Sequence, residues 1–76
     1  MTISQLIGRL QQYPQDTQVF VSGYEGGMDY LDTVEDTRVV LDYNKGVNYL
    51  GRHEEAEAGL MSESDMEKSV RGIWLR

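Results

Sequence analysis

Few side chains in this sequence are equipped for chemistry, and they do not assemble into a catalytic pattern. There is one histidine, His53, and no cysteine. No serine stands in the Gly-x-Ser-x-Gly setting that lifts a nucleophile onto a strand–helix turn. His53 is followed by Glu54 and Glu55, a context that reads more simply as a solvated acidic face than as an acid–base pair. A metal site would need oxygen ligands. Asp29, Asp32, Glu35 and Asp36 form one cluster, and His53 with Glu54, Glu55 and Glu57 forms a second. Such oxygens suit Mg²⁺ or Ca²⁺, but neither cluster has the EF-hand alternation nor a His-x-x-x-His pair. The expectation is therefore a protein that is not an enzyme and needs neither metal nor cofactor. A hydrolase using Asp29, Asp32, His53 and a metal is the least favoured alternative.

Binding chemistry is better provided for. Tyr24 and Tyr30 flank Glu25-Gly26-Gly27-Met28. Glycine lets the backbone approach a ligand closely, and a tyrosine ring offers a stacking face. The stretch lacks the lysine and following helix of a phosphate-cradling loop, and a long turn with two tyrosines packed on the sheet edge is the simpler account. Arg52 and His53 lie directly after an expected strand. Together with Tyr24, Gly26, Gly27 and Tyr30 they form the candidate site for a small anionic, nucleotide-like ligand. The competing expectation is that Arg38, Arg52, Arg71 and Arg76 pair with the surplus carboxylates. For contact with another protein, the candidates are Glu54, Glu55 and Glu57 on the acidic segment, with Ile73 and Trp74 near the end of the chain.

Thirteen acidic residues against seven basic ones give a net charge of −6 over 76 residues. Binding to a phosphate backbone draws on Lys and Arg, so direct nucleic-acid binding is not expected. An acidic surface fits a basic protein partner, a cation or solubility alone. No apolar run approaches the ~20 residues that span a bilayer, and no basic, apolar leader follows Met1. A complete short product in the cytoplasm is expected, with no membrane contact. Without disulfides, so small a fold rests on packing or on self-association, so a homodimer or larger assembly is expected.

The elements that must position these groups are legible in part. Ile3, Leu6, Ile7, Leu10 and Tyr13 follow helical spacing, Thr2 with Gln5 has capping-box spacing, and Pro14 stops the run. The spacing predicts a helix over 2–13. Strands are expected at 18–22, 37–43, 47–50 and 70–75, with Asn44-Lys45-Gly46 as a hairpin turn between the middle two. Residues 23–30 are expected to be an irregular glycine loop. Residues 51–69, which carry six of the thirteen acids, are expected to form a mobile acidic loop with a short helical turn near 64–69. The fold class is α+β: one domain over 1–76, with an N-terminal helix packed on a small, mostly antiparallel four-stranded sheet bearing two long loops.

The run Leu6-Ile7-x-x-Leu10-x-x-Tyr13-Pro14-x-Asp16-Thr17-x-Val19-x-Val21, followed by Gly23-Tyr24-Glu25-Gly26-Gly27, resembles a class of short phage and prophage proteins. They share a capped helix, a Pro-x-Asp turn, a strand and a Gly-Tyr-Glu-Gly-Gly-like loop. Tyr49-x-Gly51-x-His53-Glu54 is similar to a second patch in that class. The resemblance covers the first half of the chain plus that patch and implies little about activity. It implies a phage accessory protein in the host cytoplasm that inhibits a host defence system, by sequestering a small anionic ligand or by blocking a basic host protein. The alternative is a structural or regulatory interaction module that self-associates.

Overall fold

The computed structural model describes all 76 residues, which fall into two compact units, Met1–Leu31 and Asp32–Arg76. The class is α+β. The arrangement differs from one helix on one four-stranded sheet: two helices, a two-stranded sheet and a three-stranded sheet are present, every strand pair antiparallel.

In the first unit, α1 spans Ile3–Leu10. Its start is as the spacing predicts. The Gln5 amide donates to Thr2 Oγ1 at 3.2 Å and the Thr2 amide donates to Gln5 Oε1 at 2.8 Å, a closed capping box. Its end comes three residues before the expected boundary. Gln12 and Tyr13 donate to Arg9 and Leu10 over i→i−3 spans, tightening the chain before Pro14 turns it. Within the apolar stripe only Leu6 is half-buried, while Ile3, Ile7 and Leu10 are exposed. The hairpin of its own unit therefore does not cover the stripe.

The hairpin pairs β1, Phe20–Ser22, with β2, Met28–Tyr30. The irregular glycine loop expected over 23–30 is thus a turn plus a strand. Glu25, Gly26 and Gly27 take φ values of 58°, 133° and 66°. That left-handed run reverses the chain within few residues, and Gly23 closes it by donating to the Gly27 carbonyl at 3.0 Å. Residues 28–30 are then free to return alongside β1. Phe20 stacks on Tyr30 across the strands, with ring centroids 5.3 Å apart.

The second unit is a sheet in the order β4-β3-β5, formed by Glu54–Glu55, Val34–Val40 and Val70–Leu75. The last strand has the expected bounds. β3 begins three residues earlier than the sequence suggested, because the acids at its start are satisfied across the sheet. Arg71 makes a two-pronged contact with Asp36 at 2.9 and 3.0 Å, and Arg76 makes another with Glu35 at 3.3 and 2.8 Å.

The strand expected at 47–50 does not form. β3 ends at Val40, Asp42 adopts a left-handed φ of 59°, and residues 41–50 are turns. Asp tolerates that conformation better than most residues, and the polar Asn44-Lys45-Gly46 stretch widens the reversal instead of closing a tight hairpin. The place beside β3 is taken by β4, within the segment expected to be a mobile loop. That segment also holds α2, Glu63–Glu67, capped by the Ser62 hydroxyl, which accepts from the Asp65 amide at 3.0 Å. The only buried hydrophobic residue is Val40, and the only buried polar one is Asn44.

Candidate functional site

The richest concentration of candidate residues lies in the second unit. An open groove of about 330 Å³ has Thr37 and Val39 from β3, Ile73 and Trp74 from β5, and Arg52 to Glu55 along its side. It gathers six residues singled out in the sequence: Arg52, His53, Glu54, Glu55, Ile73 and Trp74. Glu57 lies just beyond β4, where its carbonyl accepts from the Leu60 amide. The remaining candidates belong to the first unit. Tyr24, 92% exposed, Gly26 and Gly27 form the hairpin turn, and Tyr30 stacks on Phe20.

The groove's charged groups are satisfied from within. Arg52 donates to the Asp42 carboxylate. The Asp42 amide in turn donates to His53 Nδ1 at 2.9 Å, which fixes the ring and removes that nitrogen as a proton donor. The Arg52 hydrogen bond, followed by the charges of Arg52 and Lys45, lowers the Asp42 carboxyl below its ordinary range. Asn44 Nδ2 donates at 2.9 Å both to the Gly51 carbonyl and to Glu54 Oε2, and its own amide donates to the Arg52 carbonyl at 3.0 Å. The Thr37 hydroxyl donates to Glu55 Oε2 at 2.7 Å. Along β5, the hydrogen bond from Arg71 lowers the Asp36 carboxyl, helped by the charges of Arg71 and Arg38, and Asp36 raises Arg71 in return.

All four arginines on or beside the strands are thus engaged. Arg52, Arg71 and Arg76 hold carboxylates, and Arg38 donates to the Ser69 hydroxyl and carbonyl. Arg76 also lies over the Trp74 ring, 4.1 Å from its centroid. What the groove presents outward is chiefly apolar, from Val39, Ile73, Trp74 and Leu75. In contrast, no basic side chain pairs with Glu57, Glu63, Asp65 or Glu67. No three acidic or histidine side chains gather closely enough to hold a metal ion. No helix is long and apolar enough to cross a membrane.

Sequence reasoning missed Asp42 and Asn44, which organise this region. The available signal is an Asx pair in a turn, which a simple hairpin link between two strands also explains. Comparison with known proteins adds no relative: no family model matches the chain, and no curated protein or solved structure matches it.

Proposed function

We propose that this protein acts by binding another protein chain and is not an enzyme. The observation that carries the proposal is the near-absence of an interior, since Val40 alone among the hydrophobic residues is buried. Folding gains its main stabilisation from apolar burial, roughly 25 cal/mol per Å². Ile73, Trp74 and Leu75, still 43%, 38% and 37% exposed, contribute the remainder of that stabilisation only once something covers them. The pairing of Arg52 with Asp42 supports the same reading, because it offsets the charge of the one guanidinium lining the groove.

The acidic stretch from Glu57 to Glu67 suits a basic partner surface at its rim. The resemblance of the sequence to short phage proteins supports reading it as an accessory factor that works through such contacts.

Native mass spectrometry on gently purified protein tests the proposal. A complex heavier than one 8.7 kDa chain, resolving on denaturation into protein chains only, is the expected result. A bare single chain overturns it, and so does a single chain releasing a small non-protein mass.

A further inference from the structure

We infer that the chain covering β5 is a second copy of this one, joined edge to edge through β5 in an antiparallel pairing centred on Ile73, apart from any basic partner at the acidic stretch. The inference rests on the proposed protein-binding role and names its partner.

β5 has β3 on one side and no strand on the other. The Arg76 amide donates to the Thr33 carbonyl at 3.1 Å. By the alternation of an antiparallel ladder, Val70, Gly72 and Trp74 then direct their backbone groups to β3. Arg71, Ile73 and Leu75 direct theirs outward. Exposed edges in monomeric proteins are usually blunted by charged side chains, proline, a bulge or shortness. β5 is six residues long, reads Val-Arg-Gly-Ile-Trp-Leu, and its register with β3 is unbroken from Val70 to Leu75. Its one charged residue, Arg71, is paired with Asp36 of β3, and it has no proline or bulge.

The sequence of the strand suits a copy of itself. A two-fold axis requires some residue to face its own equivalent, and overlap of residues 70–76 is greatest when that residue is Ile73. In this register Ile73 faces Ile73 of the copy, and Arg71 faces Leu75. All three outward-directed residues exchange both their N–H and C=O groups. On the other face Gly72 comes opposite Trp74 of the copy. Gly72 has no side chain, so the indole can lie across its backbone, an arrangement in which an aromatic covers a cross-strand glycine. The two-fold axis makes this contact twice. No like charges are placed opposite each other, because each Arg71 faces a leucine. The two three-stranded sheets become one continuous sheet with the short β4 strands at its edges.

Because the chain lacks cysteine, a single introduced thiol reports the register. Directly opposed residues in a hydrogen-bonded antiparallel pair have Cα atoms about 5.5 Å apart, within disulfide reach. Ile73→Cys should therefore oxidise to a covalent dimer. Leu75→Cys should not do so alone, because the two copies of residue 75 lie about 13 Å apart along the strand. An equal mixture of Arg71→Cys and Leu75→Cys chains should yield the mixed dimer. Equal cross-linking of Ile73→Cys and Leu75→Cys, or failure of both Ile73→Cys and the mixed pair, overturns the pairing. If cross-linking fails while native mass spectrometry shows a complex with a different protein, β5 pairing falls and the protein-binding role stands. If only single chains are seen, both fall.

Discussion

Asn44→Ala is the perturbation that most sharply tests how the second unit is held together. Asn44 is 8% exposed, and its amide group ties two strand-flanking points together through bonds to the Gly51 carbonyl and Glu54 Oε2. Alanine deletes both. A bond to a charged group is worth about 1.5–3 kcal/mol and a neutral one about 0.5–1.5, so a loss of about 2–4 kcal/mol is expected. That is a large part of the few kcal/mol available to so small a unit. The assay is urea unfolding followed by Trp74, the sole tryptophan, which lies in β5 of the same unit. Asn48→Ala, exposed in the same turn region, serves as control and should change stability by no more than about 0.5 kcal/mol. An Asn44→Ala loss as small as the control's would refute the view that this buried amide organises the turn.

Val40→Ala removes two methyl carbons from the one buried hydrophobic site, and at about 0.8 kcal/mol each plus a cavity contribution it should cost about 2 kcal/mol. Calorimetry showing no fall in Tm would contradict this. Acid should weaken the second unit through Asp36 and Asp42, whose carboxyls are lowered by Arg71 and Arg52 in the folded chain. The unfolded chain takes up those protons first. Their contribution is therefore present above the ordinary value of 3.8 and is lost as pH falls through the lower folded values. Urea midpoints measured down the acid range should drop there, and the drop should shrink in an Asp36→Asn, Asp42→Asn double variant. An unchanged profile in that variant would remove these two groups from the account. Gly23→Ala places a Cβ 2.6 Å from the Gly26 carbonyl oxygen, so the β1–β2 hairpin should lose its NMR cross-strand contacts between Phe20 and Tyr30. Retention of those contacts would show that the turn can relax.

The sequence was most informative where one local rule acted alone. Thr2 and Gln5 set the start of α1 through capping, though the helix ends at Leu10, short of the stop expected from Pro14, and the apolar run at 70–75 became β5 with the expected bounds. It misled where long-range pairing outweighed local character. Val34-Glu35-Asp36 looks like a loop start until Arg71 and Arg76, far along the chain, arrive to neutralise the acids. Glu54-Glu55 looks like solvated surface, yet Thr37 and Asn44 hold those carboxylates and β3 takes up the backbone. The reverse error occurred at 47–50, where β-favouring side chains were overruled by the Asp42–Asn44 turn. The groove was partly readable, because Arg52 to Glu55 and Ile73-Trp74 had each been singled out as separate patches. Their meeting depends on β4 and β5 flanking the same strand, which no local pattern encodes.

Amide hydrogen exchange read residue by residue tests most directly the claim that an open apolar strand is completed by another chain. In the proposed dimer, the amides of Arg71, Ile73 and Leu75 should exchange slowly in concentrated protein and speed up on dilution, while those of Gly72 and Trp74, bonded to β3, stay protected throughout. Rapid exchange at Arg71, Ile73 and Leu75 at every concentration would contradict it.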